Sequence, residues 1–196
     1  MRSYEATLET PDELDAVNDM LASIGESPVN TLEGESNADV ANARRLLHKV
    51  NTEVQSKGWT FNIEEGVSLA PDVFSQQIPF LPDYLSVRTA GGATQYVNRG
   101  GSLYDRVERT DQFPGPIVVD MIRLRSFDEM PVPFRTYIIA KASRRFNIRF
   151  FGAAEVEETL QEEEADAWMA VQEYELEYGS FNMLEGDAWT GGRLAR

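Results

Sequence analysis

The hydrophobic positions of the chain follow a helical period at both ends and a two-residue period in the middle. The first helical pattern has apolar residues at spacings of three and four: Leu14, Val17, Leu21 and Ile24. Thr10, Pro11 and Glu13 together form a helix start signal. Gly25 is suited to end the helix. We therefore predict a first helix from about residue 11 to residue 24.

A second helical pattern begins after Ser36 or Asn37, either of which can cap a helix, and ends at Gly58. Its apolar face is Ala43, Leu46, Leu47, Val50 and Val54, with Arg44, Arg45, His48 and Lys49 interspersed. The two N-terminal helices are expected to form an antiparallel pair.

The middle third of the chain alternates between apolar and polar residues, which is typical of half-buried strands. Trp59, Phe61 and Ile63 alternate with polar residues, so a strand is predicted there. Further strands are predicted over 84–89, 95–98, 103–107 and 117–124, with a hairpin turn at 99–102. Several prolines in this region exclude a long helix. The pattern predicts about five or six antiparallel strands.

The last third returns to a helical period. One helix is predicted from Pro131 or Pro133 to Phe151, ending at Gly152, and a second from 154 to 178, ending at Gly179. The apolar stripe of the second helix is interrupted at Glu163 and Glu164.

The predicted fold class is therefore α+β, mainly a bundle of about four helices with a central, inserted antiparallel β region. Residues 1–58 form an N-terminal helical hairpin and residues 59–130 the β region. Residues 131–179 form two further bundle helices, and residues 180–196 form an extended C-terminal tail.

Composition narrows the function classes. The 196-residue chain has a formal net charge of −15. For the chain as a whole, this charge disfavours binding to the phosphates of nucleic acids. It has no cysteine and one histidine, His48, which we interpret as solvated. These counts exclude a disulfide scaffold, a thiolate zinc site and a paired-histidine metal site, and no cofactor is expected. The N-terminus has no secretory signal, and no apolar run is long enough to span a membrane.

The charge pattern near the C-terminus is the sharpest functional signal. Residues 134–151 contain five basic residues and no acid: Arg135, Lys141, Arg144, Arg145 and Arg149. Residues 155–177 contain ten acids and no base. Six of these acids are candidates for contact with the basic helix: Glu157, Glu158, Glu162, Glu163, Glu164 and Asp166. Complementary helices could pair between neighbouring subunits or within one chain, and a solvated acidic face is a third possibility.

Catalysis is the alternative function class, because carboxylate pairs can support glycan hydrolysis. The candidates are Glu64 with Glu65, Asp128 with Glu129, and Glu157 with Glu158. Acids are abundant in this chain, so their proximity in sequence is weak evidence for a site. Binding to other protein subunits is the favoured interpretation.

A further set of segments has recognisable sequences: 38–45 (ADVANARR), 55–66 (QSKGWTFNIEEG), 96–101 (YVNRGG), 122–125 (IRLR) with 128–131 (DEMP), 149–152 (RFFG), 160–164 (LQEEE), 182–184 (NML) and 186–188 (GDA). These segments resemble the tail tubular protein A family of T7-like podoviruses. They occur in order over nearly the whole chain, although residues 71–92 match less well.

The resemblance implies a structural virion protein, made in the host cytoplasm and placed in the virion tail. Such an adaptor, or gatekeeper, forms a twelve-fold ring of its own copies that joins the portal protein to the nozzle made of tail tubular protein B. Tail fibres or spikes attach near that junction, and DNA passes through during ejection without specific binding. We further expect the tail to contact the portal or a neighbouring subunit through Phe181, Met183, Leu184, Trp189, Arg193 and Arg196.

Overall fold

A computed structural model of the chain describes residues 13–32, 37–92 and 95–179. Its helices in this described part are α1 (Glu13–Ala22), α2 (Ala38–Gln55), α3 (Val132–Phe146), a π-helix (Asn147–Phe151) and α4 (Ala154–Tyr178). Its strands are β1 (Ile63–Leu69), β2 (Tyr84–Thr89), β3 (Gln95–Arg99), β4 (Ser102–Asp105) and β5 (Ile117–Arg123). The predicted α+β class is confirmed.

The chain divides into two compact units. The first unit comprises the described residues of Met1–Asn51 and Ser126–Gln172, and the second those of Thr52–Arg125 and Glu173–Arg196. Helices therefore dominate the first unit, and the sheet lies in the second.

The first unit is built on buried faces of its helices. In α1 the buried residues are Ala16, Val17, Met20 and Leu21, and α1 packs against α3. The α1 helix ends at Ala22, two residues before the predicted end. The N–H of Ile24 bonds to the carbonyl of Leu21, and that of Gly25 to the carbonyl of Ala22, so the chain tightens into a turn. Gly25 has a φ of +78°, as expected of a glycine stop.

The predicted helix from 131 to 151 changes its hydrogen bonding near its end. It is α-helical to Phe146 and then π-helical to Phe151. The buried Asn147 side chain donates to the carbonyl of Ala153 at 3.1 Å and accepts the N–H of Ala153 at 3.2 Å. This side-chain clamp, together with the left-handed Gly152, ends the helix and starts α4.

The second unit holds an antiparallel five-stranded sheet in the order β1-β5-β2-β3-β4. The strand predicted over 117–124 corresponds to β5, which lies between β1 and β2. One face of the sheet packs into a core of Ile78, Val87, Tyr96, Leu103, Phe113, Val119 and Met121. The prediction of five or six antiparallel strands is confirmed for the described residues.

The strand predicted from Trp59 is wrong in its first four residues. Residues 59–62 form a turn, and β1 begins at Ile63. The side chain of Asn62 accepts the backbone N–H of Trp59 at 2.8 Å, and the indole N–H donates to the carbonyl of Val54 at 2.7 Å. Trp59 and Asn62 are both buried within this turn, so burial here does not follow the alternation in the sequence.

Candidate functional site

Helices α3 and α4 meet through a cluster of charges. Nε of Arg144 lies 2.7 Å from Oε1 of Glu157, and its Nη1 lies 3.1 Å from Oε2 of Glu164. Nζ of Lys141 lies 3.6 Å from the other oxygen of Glu164. The hydrogen bonds to Glu157 and then Glu164 raise the pKa of Arg144 above its ordinary value. These four predicted interface residues therefore have partners inside their own chain.

Arg135 is also withdrawn from the surface. Arg135 is only 4% exposed. Its Nε and Nη1 have no hydrogen-bond partner among the residues that the structure describes. Its charge is the smallest of the influences that lower the pKa of Asp128, of which the hydrogen bond from Ser126 is the largest. Arg135 thus has the burial of a core residue.

The other predicted acids occupy the solvent-facing side of α4. Leu160, Ala167 and Val171 are the buried residues of this helix. The remaining four predicted acids are exposed: Glu158, Glu162, Glu163 and Asp166. Their spacing places them on one broad face, because residues three and four apart are neighbours on a helix. Among the described residues, this side of α4 therefore presents an exposed, negatively charged surface.

Two predicted basic residues remain in and beside the π-helix. Arg145 is half-buried and has partners of its own, whereas Arg149 is exposed. Around Arg149, Ile148 is 56%, Phe150 40% and Phe151 45% exposed. The sequence prediction treated this segment as ordinary helix and missed the apolar surface. The apolar residues at 148, 150 and 151 do not share one α-helical face, and this could have signalled the change.

An open groove lies on the first unit between α1, α3 and α4, with a volume of about 900 Å³. Its charged lining residues are Asp19, Glu163 and Asp166, and none is basic. Most of the others are small: Ala22, Ser23, Thr136, Ala140, Ser143, Thr159, Ala167 and Ala170. Burial, with a smaller contribution from Asp15, raises the pKa of Asp19. We call this surface the acidic groove.

Helix α2 carries the opposite charge. Its basic residues Arg44, Arg45, His48 and Lys49 are all exposed. Arg44 and His48 both approach Oε1 of Glu13, at 2.7 and 3.1 Å. The histidine side chain is 59% exposed, in keeping with its predicted solvated position. We call these four residues the basic face. The sequence prediction did not single them out, because the charge runs near the C-terminus are denser.

The carboxylates considered for glycan hydrolysis are not arranged as an acid–base pair. Glu64 is held by ion pairs to Arg123 and Arg125. The pKa of Asp128 is lowered, whereas a general acid requires a raised one. Glu64 and Glu65 belong to the second unit, and Asp128 and Glu129 to the first. No contact in the described chain favours hydrolysis.

The remaining predictions for the site fall in part beyond the described residues. Phe181, Met183, Leu184, Trp189, Arg193 and Arg196 lie outside them. Within the described ranges, no group of three or more His, Asp or Glu side chains could hold a metal ion. No helix in those ranges is both long and apolar enough to cross a membrane.

Comparison with known proteins finds sequence similarity to a family and to individual phage proteins. The sequence model of a family described as "Tail tubular protein" matches residues 14–181. The chain is 32% identical to "Tail tubular protein A" of Klebsiella phage KP34 over 120 residues, which cover 61% of this chain and 62% of that protein. It is 70% identical over 30 residues to a "Tail tubular protein A" sequence of Enterobacteria phage T3, which cover 15% of this chain and all of that sequence.

The family match covers well over half of the chain, and the sequence resemblance noted above points the same way. The match to the Klebsiella phage protein spans less than two thirds of either protein. The chain therefore belongs to the tail tubular protein family and is a structural component of a phage tail.

Proposed function

We propose that this chain is an adaptor subunit whose copies form a ring between the portal protein and the tail nozzle of a short-tailed phage. The observation that carries the proposal is the family match across residues 14–181. The named relatives are tail tubular proteins A. The nozzle partner would be tail tubular protein B, as the sequence resemblance implies. Tail fibres or spikes would attach where the ring meets the nozzle.

The distribution of charge supports a place beside the DNA channel. The net charge is −15, and the acids on the outer side of α4 are exposed. An acidic lining repels DNA phosphates, so a genome could slide past the ring without binding to it. Exposed carboxylates of 155–177 would form part of that lining.

The direct test is to mix the purified chain with portal rings and measure the mass and symmetry of the product by sedimentation and electron microscopy. The adaptor role predicts one complete layer of copies matching the symmetry of the portal. An unmodified chain that leaves portal rings bare would contradict the adaptor role.

The channel role has a separate test in assembled virions. Changing Glu155, Glu158 and Glu162 to glutamine keeps the size of each side chain and removes three exposed charges. Assembly should be normal and DNA ejection slower, because the lining repels DNA less strongly. An unchanged ejection rate would remove these residues from the channel.

We also propose that the C-terminal tail, residues 180–196, binds the portal or a neighbouring copy. A chain lacking residues 180–196 should retain its helical content by circular dichroism but attach to portal rings more weakly. If the truncated chain saturates portal rings at the same concentration as the full chain, the tail has no such role.

A further inference from the structure

Two oppositely charged surfaces of the first unit differ in shape. The acidic groove between α1, α3 and α4 is concave, and the basic face of α2 is a convex helix surface. Each has charges directed to solvent, since Glu163, Asp166, Arg45 and Lys49 are all exposed. Two different complementary patches on one chain are what a head-to-tail contact between identical subunits requires.

The lining of the acidic groove suits a helix rather than a small molecule. Small side chains in its lining, including Ala22, Ala140 and Ala167, allow a partner helix to approach closely. The acids lie on the α1 and α4 sides, where Asp19 faces the groove with Glu163 and Asp166. A partner helix therefore needs positive charges that face these acids.

The basic face of α2 carries such charges. Arg45 and Lys49 are four residues apart and so project from the same side of the helix, with Ala41 one turn before them. Glu163 and Asp166 are three residues apart on α4, so the two acids and the two bases have similar spacing of roughly 5–6 Å. The opposite side of α2 is buried in its own chain through Val40, Ala43, Leu46, Leu47 and Val50.

We propose that the basic face of α2 from one copy docks into the acidic groove of a second copy, with Arg45 and Lys49 pairing with Glu163, Asp166 and Asp19. Because the basic face is exposed in its own chain, it does not fill the groove of the same chain. The contact joins two different surfaces and can repeat around a closed ring. It deepens the proposed adaptor function and rests on it for the assembled ring.

In this contact the basic partner of α4 is α2 of another copy, and not α3 as the charge runs in the sequence had suggested. Lys141 and Arg144 are paired with Glu157 and Glu164 inside the chain. The acids of α4 that remain exposed are open to a base from another copy, and α2 provides two with suitable spacing.

The absence of cysteine allows a cross-linking test without removing native thiols. Two single variants, Lys49→Cys and Asp166→Cys, are purified separately, mixed on portal rings and oxidised. The contact predicts a disulfide-linked dimer in the mixture and none with either variant alone. The matched control replaces Lys49→Cys by Lys57→Cys, an exposed lysine beyond the end of α2, and should give no dimer.

Charge reversal provides a second readout. Lys49→Glu alone or Asp166→Lys alone should reduce the number of copies on portal rings about ten-fold or more, because like charges then face each other. The chain carrying both changes should recover attachment, since each contact again joins opposite charges. Arg149→Glu has the same charge change as Lys49→Glu at a site outside the contact, and it should assemble normally.

The outcomes separate this contact from the adaptor role. If the unmodified chain coats portal rings but Lys49→Cys and Asp166→Cys do not cross-link, the contact is wrong and the adaptor role stands. If the two variants cross-link in solution but no chain attaches to portal rings, the contact stands and the adaptor role fails. If Asp166→Cys instead links to Arg193→Cys, the groove receives the C-terminal tail and the inference is overturned.

Discussion

Nη1 of Arg144 on α3 donates to Oε2 of Glu164 on α4 across 3.1 Å. Glu164 is half-buried, whereas the adjacent Glu163 is exposed. The acid at 164 interrupts the apolar stripe of α4 because a guanidinium occupies the facing position. A charged residue in a buried seam is thus accounted for by a partner within the same chain.

Removing the Arg144 side chain should destabilise the first unit. Arg144→Ala leaves Glu157 and Glu164 without their shared donor, and Oε2 of Glu157 already lacks a hydrogen-bond partner in the described part of the chain. The side chains of Arg144, Glu157 and Glu164 are 19–29% exposed, so solvent screens the interaction in part. We expect a loss of about 1–2 kcal/mol in the free energy of unfolding, measured by urea denaturation.

The control for Arg144→Ala is Arg149→Ala, which removes an exposed arginine five residues later. It should change the free energy of unfolding by less than about 0.5 kcal/mol. Equal effects of the two changes would show that the cluster contributes no specific stability.

The buried polar side chain of Asn62 should be among the most sensitive positions of the second unit. Its amide donates to the carbonyls of Gln55 and Arg123, both at 3.0 Å, and its carbonyl accepts the N–H of Trp59. Asn62→Asp removes both donated bonds and places a carboxylate beside two carbonyl oxygens. We expect a loss of about 3 kcal/mol or more in unfolding free energy at pH 7.

Asn98→Asp makes the same chemical change at an exposed site. Asn98 accepts the N–H of Gly101 through its side-chain oxygen, a role that a carboxylate can retain. Its unfolding free energy should stay within about 0.5 kcal/mol of the unmodified chain. If Asn62→Asp is equally mild, the buried network is not important for stability.

Asn62 also shows where prediction from sequence succeeds and fails. Periodicity identified the helices, the sheet region and the glycine stops, because these depend on local spacing and backbone preference. Periodicity could not separate a strand from a turn at 59–62. The side chains of this turn donate hydrogen bonds to the carbonyls of Val54 and Arg123, and Arg123 lies far away in the sequence. The long-range partner of Asn62 has no local signal.

The candidate interface was likewise predictable from the sequence only in part. The charge runs of α3 and α4 were visible in the sequence, but spacing alone could not show which charges meet within the chain. Arg144 is paired with Glu157 and Glu164 within the chain, whereas Asp166 stays exposed. That distinction depends on which side of each helix faces the other, and so on tertiary packing.

Asp19 should make stability depend on pH. Burial first, and the like charge of Asp15 second, raise its pKa above 3.8. The folded chain therefore binds this proton more tightly than the unfolded chain, and the contribution of Asp19 to stability falls as the pH rises above 3.8 through the folded pKa. Its position near the C-terminal end of α1 acts in the same direction, because that end carries partial negative charge.

The corresponding variant is Asp19→Asn, measured by urea denaturation at pH 7 and at a pH below 3.8. At pH 7 it should stabilise the chain by a few tenths of a kcal/mol, roughly the effect of relieving one like-charge pair on a helix. In acid the difference should vanish, because Asp19 is then protonated in both states. Asp39→Asn, in the first turn of α2, should instead destabilise the chain slightly. A pH-independent gain for Asp19→Asn would contradict this account.

Two glycines with nearly the same backbone conformation should respond differently to a methyl group. Gly58 has a φ of +74° and Gly25 a φ of +78°, so alanine is strained at both. A Cβ at Gly25 would meet nothing within 4 Å, but one at Gly58 would lie 2.8 Å from Cδ1 of Ile122. Gly25→Ala should therefore lose only the backbone preference, about 1 kcal/mol.

Gly58→Ala should lose that same amount plus the effect of overpacking, for a total of about 2–4 kcal/mol by urea denaturation. Shortening the facing side chain tests the cause: Ile122→Val removes the contacting Cδ1 atom and should recover part of the loss in the double variant. Non-additivity of this sign would locate the strain at the Gly58–Ile122 approach. Strict additivity, or equal losses at Gly25 and Gly58, would show that the backbone conformation alone accounts for the effect.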